Sequence, residues 1–262
     1  MTSSTLEEKK TRLFIVLSGI FITNALVAEM IGVKIFSGEQ TLGLEPARMN
    51  IFGYISDFNL TAGAVIWPVV FITSDLINEY FGRPGVKRIS YLTAILITYA
   101  FLVIFVTIRL SPADFWLDAY SKDSAGNYFD MNYAFNTIFG QGQRIIVGSL
   151  TAFLIGQLID AFLFQKLKKI TGKKMLWVRA TGSTLISQLI DSFVVLYIAF
   201  AGIFDDQTLL GIALTNYIYK FIVAVALTPV IYFGHFLIDR YLGKENSEKI
   251  AEAATNDSGK FF

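Results

Sequence analysis

The chain has 262 residues, of which 54% are hydrophobic and only 16% charged, and its net charge is +1. That balance is far more apolar than soluble domains show, so water is not its principal solvent; at ~20 residues per span it accommodates roughly six membrane-crossing helices and no second globular domain. The absence of cysteine and the single histidine, His235, exclude disulfides, thiolate metal sites, thiol catalysis and a histidine metal cluster.

Lys9, Lys10 and Arg12 precede an apolar run and resemble the start of a secretory signal. The run continues through Asn24 and Glu29 to about Phe36, and Leu26 stands where a cleavage site before Ala28 needs a small residue, so an uncleaved span is predicted. In chain order the predicted spans are 12–35, 60–81, 89–109, 144–165, 176–201 and 211–238. The third has no charge from Ile89 to Ile108 and can face lipid; each of the others has an ionisable residue inside it or near one end. Trp67-Pro68 falls inside the second, where a break or kink is predicted. Ser111-Pro112-Ala113-Asp114 predicts a short interfacial helix with Ser111 as its cap, and Asn132 to Phe139 is amphipathic, suited to the outer surface or to the mouth of a cavity. The loops at 36–59 and 110–136 are long and carry no legible task. The resulting organisation is an all-α, six-helix transmembrane domain over 1–242 and a polar tail over 243–262, either disordered or a short soluble helix.

Placement of Lys and Arg fixes an expected orientation. Sixteen lie in the N-terminal tail, between spans two and three, between spans four and five, and in the C-terminal tail; the opposite loops hold four, Arg48, Arg109, Lys122 and Arg144. By the positive-inside rule both termini are cytoplasmic in a multi-pass protein of the inner membrane.

Leu154 to Phe162 matches Leu185 to Phe193 at seven of nine positions, including Gln157/Gln188 and Asp160/Asp191 at the same offset. Spans four and five run in opposite directions, so the copies are inverted, a relation found in many transporter folds. Asp75 and Asn78 form a weaker third copy, which pairs with span five if the whole chain is a three-plus-three inverted repeat. Residues three apart share a helix face, so each pair makes a polar stripe. An acid in mid-span costs roughly 2.5–3.5 kcal/mol on insertion scales, and Glu29, Asp75, Glu79, Asp160 and Asp191 together on the order of 15 kcal/mol if all were deep. They are expected to face a cavity or partners.

Interhelical hydrogen bonding is the plainer explanation for any single Gln or Asn, at ~0.6 kcal/mol per contact. It explains the combined Gln and Asp pairs less well, because five acids exceed the available mid-span bases. Lys220 is too deep to snorkel, with ~14 Å of helix rise to cover, and is expected to pair with an Asp. Glu79, Arg83, Lys87 and Arg88 near the cytoplasmic end suit headgroup contact as well as a site, and Arg144 and Arg179 are equally open. Trp116 and Trp177 read as interface anchors. No zinc-protease, nucleophile-elbow or phosphate-loop motif is present, so no catalytic residue, metal or cofactor is expected, and uphill transport would need an ion gradient or a separate ATPase.

The chain resembles the queuosine precursor transporter family, formerly described as a vitamin uptake family. The likeness lies in Thr73-Ser74-Asp75-Leu76-Ile77-Asn78-Glu79-Tyr80-Phe81-Gly82, in Phe139-Gly140 through Arg144, Ser149, Gln157 and Asp160, and in Trp177-Val178-Arg179 through Ser183-Thr184, Ser187-Gln188 and Asp191-Ser192. The resemblance implies import of a 7-deazaguanine base such as 7-cyano-7-deazaguanine by a secondary transporter, with a fold like that of energy-coupling-factor substrate-binding subunits. The alternative is a binding subunit of a multi-component vitamin or nucleobase importer; the first span lacks the A-x-x-x-A pattern that docks such subunits. The expected partners are the small-molecule substrate, the bilayer and other copies of the chain, without nucleic acid. A guanine-like edge offers adjacent N–H donors, an oxygen and a flat face. Gln157, Asp160, Gln188, Asp191, Asp75 and Asn78 supply polar partners, Phe162 and Phe193 stacking faces, and Arg144 and Lys220 cationic donors.

Overall fold

The computed structural model describes residues 3–51, 53–140, 143–172 and 175–257. Helix α1 (Ser3–Ile31) is followed by a short segment of strands β1 (Ile35–Ser37), β2 (Met49–Ile51), β3 (Tyr54–Ser56) and β4 (Asn59–Thr61), with a single helical turn, α2 (Gly38–Thr41), between the first two. The 41-residue α3 (Trp67–Thr107) comes next, then the short surface helices α4 (Asp114–Ala119) and α5 (Met131–Phe139). The long α6 (Gln143–Thr171), α7 (Leu176–Phe200) and α8 (Asp206–Ala226) lead to α9 (Thr228–Leu242) and α10 (Lys244–Asp257).

Five of these helices, α1, α3, α6, α7 and α8, are long and apolar enough to cross a membrane. The protein is an all-α, multi-pass membrane protein apart from its small strand pairs. The second and third predicted spans are the two arms of α3. Straight, α3 would extend about 60 Å, twice the ~30 Å hydrocarbon core, but Gly82 leaves helical geometry at φ 65°, ψ −170°, a conformation open to glycine alone. The chain folds back there. Trp67, at one end of α3, lines the same cavity as Gly140, and a Cβ on Gly140 would lie 4.0 Å from Ile108 Cδ1 at the other end.

Several boundaries differ from the sequence reading. The first helix stops at Ile31, and Ile35 and Phe36 instead pair with Thr61 and Leu60 in the β1–β4 ladder. Trp67-Pro68 starts α3 rather than kinking it, because proline in the first turn forfeits no helical hydrogen bond. Ala113, not Ser111, caps α4. The sixth predicted span is two helices, α8 and α9, divided at Leu227, with Pro229 in the first turn of α9. The tail takes the helical alternative: α10 buries Ser247, Ile250 and Ala254.

Helices α6 and α7 are antiparallel and closely packed. A Cβ on Gly148 would meet Val195 O at 3.1 Å, one on Gly156 would meet Asp191, and one on Gly182 would meet Leu167. Small residues let the two backbones approach. The first arm of α3 lies inside the bundle, with eight consecutive residues, Thr73 to Tyr80, all buried. A helix buried on every side is expected in an interior position. Its Ser74 hydroxyl donates to Gln157 Oε1 (2.7 Å), and Gln165 Nε2 donates to Asn78 O and Oδ1, tying α3 to α6. Lys9 Nζ donates to Tyr241 O (2.9 Å), so the start of α1 and the end of α9 lie together at one end of the bundle, here called the terminal side. The strands, α4 and α5 lie at the other, the loop side.

Candidate functional site

A cavity of about 560 Å³ occupies the loop-side half of the bundle, within the size range of small-molecule sites. Gly32, Ile35, Thr61 and Thr137 stand at its mouth, while Ile72, Asp75, Ala180 and Ile231 form its floor. Helices α1, α3, α6, α7, α8 and α9 all contribute walls.

Of the repeated polar stripes, Gln157, Gln188 and Asp191 line this cavity. Asp160 sits one layer behind: it is 6% exposed and its Oδ1 accepts from the hydroxyls of Thr184 and Ser187, each at 3.2 Å. Thr184, Ser187 or Gln188, and Asp191 recur at helical spacing on one face of α7, so the hydroxyl clamp on Asp160 was present in the sequence as a 3.6-residue period. Lys220 pairs with Asp191, as the lysine's depth suggested, and both side chains retain partial exposure to the cavity. Glu29, also in the wall, accepts from Ser149 Oγ.

Asp75 reaches the cavity floor from α3 while remaining 3% exposed, and its Oδ1 has no hydrogen-bond donor among the described residues. Gln188 Oε1 and Ser192 Oγ, in the adjoining wall, are likewise buried without a partner. An unsatisfied buried acceptor costs roughly 1–3 kcal/mol, more when charged, so Asp75 Oδ1 and Gln188 Oε1 call for a ligand that donates, and the Ser192 hydroxyl for one that does either. Asn78, fully buried, is turned away: its Nδ2 donates to Ala161 O and its side-chain oxygen accepts from Gln165.

The aromatic faces differ from the sequence expectation. Phe162 is 40% exposed on the outside of α6, with the Arg83 guanidinium 5.0 Å from its ring centre, and Phe193 packs against the Leu196, Leu209 and Ala213 cluster. Neither lines the cavity. Trp67, Phe71 and Phe153 do, with Trp67 stacked on Phe71 (5.8 Å, 19°) and tilted against Phe153 (5.8 Å, 41°). Sequence periodicity could not choose among 24 phenylalanines. The side chain of Arg144 lies outside the described residues.

Glu79 is neither solvated nor at a headgroup. It is 3% exposed, with Oε1 2.9 Å from Arg179 Nη2 and 3.1 Å from Lys168 Nζ. The cluster belongs to a second cavity of about 610 Å³ on the terminal side.

A bundle of apolar helices around a cavity lined by polar and aromatic side chains has the architecture of a membrane transporter. The chain belongs to the "Putative vitamin uptake transporter" family, whose profile matches residues 61–234. It is similar to the "Probable queuosine precursor transporter" of Bacillus subtilis (strain 168), with 30% identity over 196 residues covering 73% of this chain and 80% of the relative. The "Queuosine precursor transporter" of Escherichia coli (strain K12) is 28% identical over 174 residues, 65% of this chain and 70% of its own. The "Probable queuosine precursor transporter" of Haemophilus influenzae is 24% identical over 188 residues, 69% and 71% of the two chains. No solved structure matches the chain.

Proposed function

We propose that this protein is a secondary transporter that imports a 7-deazaguanine base such as 7-cyano-7-deazaguanine, without chemical conversion, across the inner membrane. The names of the similar proteins support the substrate class. The observation that carries the reading is that three buried polar atoms on one cavity, Asp75 Oδ1, Gln188 Oε1 and Ser192 Oγ, have no hydrogen-bond partner among the described residues. A guanine-like edge brings adjacent N–H groups to such acceptors, its oxygen can accept from an amide or from Lys220, and its plane suits the Trp67, Phe71 and Phe153 wall.

The path crosses the bilayer six times in this reading. Termini on one side require an even number of crossings, and five long helices with α3 crossing twice supply six. The sixteen-to-four partition of Lys and Arg supports cytoplasmic termini. The test is purified protein in proteoliposomes, assayed for binding and for gradient-driven uptake of 7-cyano-7-deazaguanine, guanine, biotin and riboflavin. Saturable uptake of the 7-deazaguanine base is expected. Binding without uptake would make the chain a binding subunit instead; selective binding of a vitamin would overturn the substrate class.

A further inference from the structure

We propose that the terminal-side cavity is the release vestibule of the transport path, and that a barrier one helical turn thick between the two cavities is its gate. This rests on the reading of the chain as a transporter. Three helices pass from one cavity to the other within a turn: α3 between Asp75 and Glu79, α7 between Ala180 and Leu176, and α9 between Ile231 and His235. Four residues of helix rise about 6 Å.

The barrier has two layers. Phe164, Leu176, Ala180 and Ile231, all buried, form a small apolar cluster of their own with Ile72 packed against it. Below it Glu79 joins α3 to α7 through Arg179 and to α6 through Lys168, and Lys168 Nζ also donates to Glu79 O and to Ala251 O of α10. A buried ion cluster is poor evidence of stability, since desolvation offsets most of its attraction, but it holds elements in one arrangement and comes apart as a unit. The side of α9 is closed by Tyr80, whose hydroxyl contacts His235 Nδ1 at 2.6 Å and donates to Asp239 Oδ1 at 3.2 Å.

Helix α9 is the element placed to open it. The break at Leu227, before Pro229, separates it from α8, and it carries Ile231 of the apolar layer together with His235 and Asp239 of the polar one. Swinging α9 about that break withdraws Ile231 from the apolar layer and His235 and Asp239 from the polar one, joining the two cavities. In the arrangement described here the loop-side cavity is accessible and the gate is shut.

The natural chain has no cysteine, so Thr181→Cys, at the loop-side face of the barrier, is a single reporter. Glu252→Cys, at an exposed position of α10, defines the terminal side whichever way the protein is inserted. In sealed proteoliposomes an impermeant maleimide is expected to label Thr181→Cys from the loop side and at least tenfold more slowly from the terminal side. Ile231→Ala, which thins the apolar layer, raises the terminal-side rate at least tenfold with no ligand present, and retained loop-side labelling reports that the bundle is folded. In the parent background 7-cyano-7-deazaguanine also raises the terminal-side rate. If Ile231→Ala opens the barrier but the base neither accelerates labelling nor is taken up, the gate stands and the substrate reading falls. Terminal-side labelling of Thr181→Cys as fast as that of Glu252→Cys without ligand, or no increase with Ile231→Ala, overturns the gate.

Discussion

Asp75→Asn separates recognition from packing. The replacement keeps the size of the side chain but sets an amide, half of it a donor, where a carboxylate waits for donors. A hydrogen bond to a charged group contributes about 1.5–3 kcal/mol, so binding of 7-cyano-7-deazaguanine should weaken roughly 10- to 150-fold. Stability should move the other way. The carboxylate is 3% exposed, its Oδ1 has no donor among the described residues, and Glu79 follows one turn later on the same helix. The replacement adds no charge at this buried position and breaks no bond seen at Oδ1, so the melting temperature should hold or rise. Asp160→Asn is the contrast, because Thr184 and Ser187 lose a charged acceptor; it should lose roughly 1.5–3 kcal/mol of stability and affect binding only through that loss. Calorimetric titration of the base into protein in nanodiscs, with melting curves on the same samples, measures both. Unchanged affinity in Asp75→Asn would refute the argument, and a lowered melting temperature beside it would make Asp75 a packing residue.

Lys220→Met strands Asp191 at the cavity wall, whereas Lys220→Met combined with Asp191→Asn removes both charges; a double-mutant cycle on stability should give a coupling of roughly 0.5–3 kcal/mol, and strict additivity would mean the pair is incidental. Gly82→Ala forces a Cβ into a glycine-only conformation and should cost about 1–3 kcal/mol, read as a lowered melting temperature. Glu39 knits the loop-side segment: burial raises its pKa, but the Phe58 N–H, with those of Glu39 and Ala47 and the Ser37 hydroxyl, holds it below the ordinary 4.5. A depressed folded value gives stability that is present above the unfolded value and lost as pH falls through the folded one. Hydrogen-exchange protection of the Phe58 amide, corrected for intrinsic rate, should therefore decline below about pH 4.5 and be pH-independent over that range in Glu39→Gln.

The stripe of hydroxyl and amide side chains on α7 was legible in the sequence because helical geometry makes residues three and four apart neighbours wherever the helix sits. The same holds for the pairing of Lys220 with an acid, which followed from its depth in an apolar run. The helix boundaries at Trp67 and at Pro229 were less legible, since proline in an apolar run reads equally as a start, a kink or a break until its neighbours are placed.

Composition and charge placement by themselves determined that this chain lives in a membrane, because transfer of apolar and charged side chains between water and lipid depends on residue identity, not on partners. The repeated Gln and Asp likewise declared a polar interior between antiparallel helices. Only the tertiary structure decided which acid faces the cavity. Asp75, Asp160 and Asp191 are the same residue type in similar apolar surroundings, and what separates them is the side chain across the interface: two hydroxyls for Asp160, an ammonium for Asp191, and for Asp75 Oδ1 no donor among the described residues. The gate was invisible for the same reason: Ile72, Phe164, Leu176, Ala180 and Ile231 come from four helices and form one layer only once those helices are packed.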